Sequence, residues 1–222
     1  KEKIFWKIFM HKSVKNLEDI NSELSLKVKE NISPTIVAVS KTFKMQEILP
    51  LIEHGHSHFG ENKVQEAIEK WSDIKNEYPN IKLHLIGRLQ TNKVKFAIKI
   101  FDYIHSVDNE KLAKKISEEQ SKQNKKIKIF IQVNLAEEKQ KSGVSKLDLE
   151  DFYKYCKNLD LDILGLMCIP PANKDSKIFF QELSLLNQKL NLKELSMGMS
   201  SDYILATECY STFLRIGSKI FG

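Results

Sequence analysis

The sequence predicts one (β/α)8-barrel domain spanning residues 1–222, with an extra helix at its start. Three observations predict it. Short β-type runs alternate with helix-length segments in strict order, eight times over. The chain of 222 residues is near the usual size of such a barrel. A lysine, an arginine, glycines and hydroxyls fall at the ends of the predicted strands, where a barrel of this kind carries its site.

In chain order, a helix from about Val14 to Lys29 precedes the first strand, Thr35–Ser40, which is mostly β-branched. His58–Gly60 follows, then Lys82–Gly87, Tyr103–Val107, Lys126–Asn134, Asp162–Met167, Glu194–Met197 and Phe213–Gly217. The segments between them carry apolar residues three and four apart. Val64, Ala67, Ile68 and Trp71 share one helical face; Phe179, Leu183, Leu186 and Leu190 share another. His58–Gly60 and Glu194–Met197 are short for strands. Without them, the alternative is an open doubly wound sheet.

Composition narrows the class. The chain is 41% hydrophobic and 29% charged, as expected of a globular protein. No apolar run approaches the roughly 20 residues of a membrane span, and the Lys1–Met10 stretch lacks the pattern of a secretory signal. Cys156, Cys168 and Cys209 are odd in number and widely spaced, which argues against a disulfide framework and for a reducing cytoplasm. The formal charge of +6 comes from lysines interleaved with acids, which suits solvated helix faces better than a nucleic-acid groove. The best candidate basic patch, Lys125–Lys128, sits just before a strand.

The chemistry lies at the strand ends. The first strand runs Ile36-Val37-Ala38-Val39-Ser40 and then Lys41, so alternation places Lys41 at the barrel mouth on the face of Val37 and Val39. Partial desolvation there is expected to favour the neutral amine that an aldehyde cofactor needs. After the seventh strand, Ser196-Met197-Gly198-Met199-Ser200-Ser201-Asp202 leads into a helix over Tyr203–Glu208. Its N-cap residue types and its glycine suit a phosphate. The eighth strand ends Arg215-Ile216-Gly217-Ser218, which adds further donors. Leu214 and Ile216 are expected to pack outward and Arg215 to point inward. Its partner there is either a carboxylate or a ligand acceptor such as a pyridine nitrogen or a phosphate.

Two other motifs invite a functional reading. His54, His56 and His58 alternate, but Gly55 suggests a helix end, so a metal site is not expected. Lys141-Ser142-Gly143 lacks the upstream glycine of a phosphate loop. It reads as the loop after the fifth strand, whose end brings Gln132 and Asn134 toward the mouth.

Together these segments resemble a known family. Val37-Ala38-Val39-Ser40-Lys41, Phe59-Gly60-Glu61-Asn62 and His84 to Lys93 are similar to signatures of the YggS/PROSC family of pyridoxal-phosphate homeostasis proteins. Lys141-Ser142-Gly143, Gly165-Leu166-Met167, Leu195 to Ser200 and Arg215 to Ser218 continue the match in order, from about Ile36 to Gly222. The resemblance implies a barrel like the N-terminal domain of alanine racemase (PLP fold type III), with pyridoxal 5′-phosphate (PLP) held as an imine on Lys41. It implies phosphate contacts from Ser196, Ser200, Gly217 and Ser218, with Met197 and Gly198 alongside. Arg215 would face the ring, Asn62 would lie near the cofactor, and His84 would sit on the third strand. Ser218 departs from the family's usual threonine but keeps the hydroxyl.

Three functions compete: a PLP-binding homeostasis protein without turnover, a PLP-dependent amino-acid racemase, and an unrelated phosphate-ligand barrel enzyme. Racemases with this barrel carry a second domain that supplies another acid/base residue, and the sequence stops after the eighth strand. One lysine serves one face of a substrate. An arginine at the ring nitrogen also weakens the electron sink. The expectation is therefore a cytoplasmic, monomeric carrier with apo PLP-dependent enzymes as candidate recipients and with no nucleic-acid or membrane partner.

Overall fold

The structure, a computed structural model, describes residues 10–27, 33–138 and 142–222. Eight strands, β1 (Thr35–Val39), β2 (His58–Glu61), β3 (Lys82–Leu85), β4 (Tyr103–Val107), β5 (Lys128–Gln132), β6 (Asp162–Met167), β7 (Glu194–Ser196) and β8 (Phe213–Ile216), close into a barrel in sequence order. Every pairing is parallel, and β8 returns to β1 with Val37 opposite Arg215. The helices that follow them are α2 (Met45–Glu53), α3 (Val64–Glu77), α4 (Val94–Ile100), α5 (Glu110–Gln123), α6 (Leu149–Asn158), α7 (Ser176–Lys189), α8 (Tyr203–Glu208) and α9 (Ser218–Phe221). Both short runs in the sequence are strands, so the open sheet is ruled out.

The expected strand over 126–134 is shorter at both ends for local reasons. The Ile127 amide donates to the Gln120 side chain, and Val133 bridges to Val144 in its own returning loop. The leading helix, α1, spans Lys12–Lys27; the expected continuation to Lys29 lies outside the described residues, as does Lys141. Helix α1 buries Val14, Leu17, Ile20 and Leu24, three and four apart, and packs mainly on α9 and α2. Burying four such side chains contributes on the order of 6–12 kcal/mol before ordering costs. Asn16 also donates to the Ile220 carbonyl (2.8 Å). Glu23 accepts from both Tyr203 and Lys219, and these two donors hold its carboxyl down at about 2.

Side chains alternate between two environments. Ile36, Ala38, Leu83, Ile104, Ile129, Leu195, Leu214 and Ile216 face the helices, in one continuous apolar layer. Val37, Tyr103, Phe130, Met167 and Phe213 fill the barrel interior, with Leu164 against them. In β6, Ile163 and Leu166 face out while Leu164 and Met167 face in, so the alternation skips once. The register against β5 shifts at the same place. Gly165 sits in this bulge, where a Cβ would lie 1.7 Å from the Glu194 carbonyl oxygen, so no other residue fits without moving β7.

Candidate functional site

The C-terminal ends of the strands open onto a pocket of about 610 Å³ at the barrel mouth. It gathers Lys41, Asn62, Gln132, Ser200, Arg215, Gly217 and Ser218, residues remote in sequence that the closed barrel brings together. A larger groove of about 690 Å³ runs along the outer faces of α7 and α8, away from these groups, and is lined by Leu185, Gln188 and Tyr210 among others.

Lys41 follows β1 in a turn, facing the pocket beside Val39. It is exposed, which corrects the expected desolvation: the strand ends one residue before Ser40, and the lysine stands on the rim. The residue beneath it is firmly held. The Ser40 amide donates to the Gly60 carbonyl (2.9 Å) and its hydroxyl to Glu61 Oε1 (2.8 Å). Lys70 Nζ from α3 donates to the Ser40 carbonyl (2.8 Å) and to the same Glu61 oxygen (3.0 Å), and the Trp71 indole N–H donates to it as well (3.0 Å). Glu61 is fully buried, and its Oε2 has no partner among the described residues. A buried carboxylate is retained only when paired and hydrogen-bonded, and here it fixes the backbone from which Lys41 projects.

Arg215 points inward as alternation predicted, between the outward Leu214 and Ile216, and is 4% exposed. Its acceptors are neutral: Ser196 Oγ at 2.6 Å and the Cys168 carbonyl at 2.8 Å. No carboxylate pairs with it among the described residues, and burial lowers its pKa from the usual guanidinium value. A guanidinium has five N–H groups. Two are used here, and the others have no acceptor among the described residues, in a side chain that lines the pocket.

The remaining candidates divide. Ser200, Gly217 and Ser218 line the pocket, and Ser200 Oγ accepts from the Gly217 and Lys219 amides at 3.3 Å each, joining the loops after β7 and β8. The amides of Ser200, Ser201 and Ser218 have no acceptor among the described residues, so they can receive an anion. Three expected phosphate neighbours do not reach the pocket. Ser196 is fully buried beneath it, with its hydroxyl engaged by Arg215 and His105. Met197 packs outward in the core. Gly198 shapes the loop from below at φ +91°, its carbonyl accepting from the Arg215 amide; a Cβ there would lie 2.5 Å from Ala206 Cβ. Asn134 also turns away, to the Glu138 carbonyl, whereas Gln132 donates to the Ser142 carbonyl at the pocket wall.

The barrel interior holds what the motifs did not reveal. His58, His84 and His105, on three successive strands, link ring to ring at 2.9 Å and reach Ser196 at 2.8 Å. His84 stacks on Tyr103 and His105 on Phe130, with ring centroids 4.1 and 4.5 Å apart. Burial pushes both imidazoles well below their usual pKa. The signal was present in Tyr103-Ile104-His105: alternation puts His105 on the inner face with Tyr103. Among the described residues no cluster can hold a metal, and His54 instead ends α2 while His56 bonds the His58 carbonyl. The Lys125–Lys128 cluster lies at the opposite end of β5 and is tied down. Lys125 donates to two carbonyls and Lys126 to Asp160. All three cysteines are buried, and burial pushes the Cys156 and Cys168 thiols up to about 12. Among the described residues no helix is long and apolar enough to cross a membrane.

Comparison with known proteins agrees with this architecture. The family model for the alanine racemase N-terminal domain matches residues 16–222. The pyridoxal phosphate homeostasis protein of Vibrio alginolyticus is 36% identical over 201 residues, 86% of each chain. The human protein of the same name is 36% identical over 213 residues, 86% of this chain and 77% of that one. PipY of Synechococcus elongatus, solved with PLP bound, superposes with a TM-score of 0.84 at 32% identity, covering 95% of this chain and all of that one. Alanine racemase of Clostridium difficile shares the fold, with a TM-score of 0.70 at 15% identity; the match covers 96% of this chain and 56% of the racemase. The chain belongs to the alanine racemase N-terminal domain family and, within it, to the pyridoxal phosphate homeostasis proteins.

Proposed function

We propose that this chain binds PLP at the barrel mouth and serves intracellular vitamin B6 homeostasis, holding the cofactor for recipient apo-enzymes rather than turning over a substrate. The observation that carries this reading is a buried arginine in one pocket with a lysine and a set of amides, the arginine without a carboxylate partner and the amides without acceptors among the described residues. Those groups fit the three polar features of PLP. The Ser200, Ser201, Gly217 and Ser218 backbone and hydroxyls suit the phosphate, and a Cβ at Gly217 would already meet Val39 at 3.3 Å, so the cradle is closely built. Arg215 suits the pyridine nitrogen. The Lys41 amine suits the aldehyde, with which it forms an imine and releases water.

The same residues argue against turnover. Arginine only donates and stays charged, so the ring nitrogen gains no proton from it and the cofactor's electron sink is weak. Apart from the guanidiniums of Arg88 and Arg215, Lys41 is the only titratable side chain lining the pocket among the described residues. Racemisation needs proton exchange on both faces of the substrate. Three buried free thiols suit a reducing cytoplasm.

The test is a PLP titration followed by absorbance. Wild type develops the near-visible imine band and Lys41→Ala does not, while neither racemises alanine. A PLP-dependent apo-enzyme mixed with the loaded protein then gains activity. Two free-aldehyde spectra would overturn the reading in favour of a different phosphate ligand.

A further inference from the structure

The three interior histidines form a line rather than a cluster. His58 Nδ1 meets His84 Nε2, His84 Nδ1 meets His105 Nε2, and His105 Nδ1 meets Ser196 Oγ, which accepts from Arg215. Each link joins the Nδ1 of one ring to the Nε2 of the next. A neutral imidazole donates from one nitrogen and accepts at the other, so the three rings are forced into the same tautomer. Either all carry the proton on Nε2, with acceptors directed toward Arg215, or all carry it on Nδ1, with donors directed toward it.

Ser196 decides between them. Its oxygen takes one N–H from Arg215. If His105 donated to it as well, the serine hydroxyl would need another acceptor, and none lies within reach among the described residues. Leaving a buried hydroxyl unpaired is costly. If the hydroxyl donates to His105 Nδ1 instead, every nitrogen from His58 Nδ1 to His105 Nδ1 and the serine hydroxyl have a partner, and the His58 Nε2–H is left at the half-buried far end of the line. Burial keeps His84 and His105 neutral, which the single-file arrangement requires.

We propose that His58, His84 and His105 are positioning residues: a neutral, Nε2-protonated line that aims its acceptor ends at Arg215 and takes the place of a carboxylate counter-ion. Its consequence follows from charge. A carboxylate beside Arg215 would pair with the guanidinium and draw its N–H groups away from the pocket. Oriented imidazole dipoles stabilise the charge without capturing those donors, and so leave a guanidinium N–H free for the single lone pair of a neutral ring nitrogen. The line runs from His58, at the opposite end of the barrel, to the underside of the pocket. The tautomers follow from the protein alone; only the effect on ligand grip rests on the PLP reading.

Imidazole 15N NMR of the ligand-free protein tests the first part. All three rings are expected as neutral Nε2–H tautomers at neutral pH. An Nδ1–H tautomer or an imidazolium at any of the three overturns the proposal. PLP titration of two variants tests the second. In His105→Asn, Oδ1 stands about where Nδ1 stood and can still accept from Ser196, so affinity should stay within about twofold of wild type. His105→Phe fills the volume without an acceptor, and affinity should fall about tenfold. Equal affinities in the two variants overturn the coupling. If wild type fails to bind PLP at all, the cofactor reading falls, and the NMR result still decides the histidine line.

Discussion

Glu61→Leu removes the carboxylate that ties Ser40, Lys70 and Trp71 together under the Lys41 turn. Glu61 is wholly buried and the Lys70 side chain is 16% exposed, so the lysine would be left largely desolvated with the Ser40 carbonyl as its one acceptor. Breaking one side of a buried pair costs about 3–5 kcal/mol. For a chain of this length that is roughly 6–20 °C in melting temperature. Glu61→Leu combined with Lys70→Met replaces the pair by apolar groups, and such replacements are often neutral. The double variant should therefore melt close to wild type, well above the single. It should still bind PLP several-fold more weakly, because the Ser40 carbonyl has lost Lys70 and its hydroxyl keeps only the long contact to the Gly60 carbonyl. Thermal melts by circular dichroism, read beside PLP titrations, give the full cycle. A single variant destabilised by less than about 1 kcal/mol, or a double variant no more stable than the single, would refute the reasoning.

Three further outcomes are expected. Arg215→Met should weaken PLP roughly 10- to 150-fold, the worth of one charged hydrogen bond. Fold stability should change by no more than about 2 kcal/mol, because the lost hydrogen bonds offset the guanidinium's desolvation; a variant that binds PLP normally removes Arg215 from the site. Gly165→Ala should cost more than about 3 kcal/mol in chemical denaturation, because its Cβ would sit 1.7 Å from a β7 carbonyl oxygen, and an unchanged midpoint would contradict the bulge. Acidification should weaken the fold through His84 and His105. Both have folded pKa values well below the unfolded value, so the unfolded chain binds more protons and stability falls once pH drops below about 6.5. Two such groups amount to about 3 kcal/mol between pH 7.5 and 5.5, and urea midpoints that hold steady over that range would show that the histidines are not buried as described.

The barrel was legible because its strands are written in β-branched runs and its helices in three-and-four spacing. Even the three-residue β7 was recognisable from its place in the alternation. Lys41 and Arg215 were legible as strand-end residues, one at the rim and one pointing in. The exposure of Lys41 was not, since it depends on a strand that ends at Val39 and on the turn that follows. Ser196 stands as a phosphate contact only through the family resemblance. Its engagement with Arg215 and His105 depends on residues 19 and 91 positions away, which only barrel closure brings together. The histidine line was missed for the same reason, because each member lies on a different strand. The β6 bulge was hidden too: an extra residue cannot be seen in a run that is apolar on both faces.

The most direct measurement is borohydride reduction of the PLP-loaded protein followed by peptide mass spectrometry. A pyridoxyl adduct is expected on Lys41 alone, absent from Lys41→Ala. Labelling spread over surface lysines, or persisting in the variant, would contradict the claim that this pocket was built around that residue.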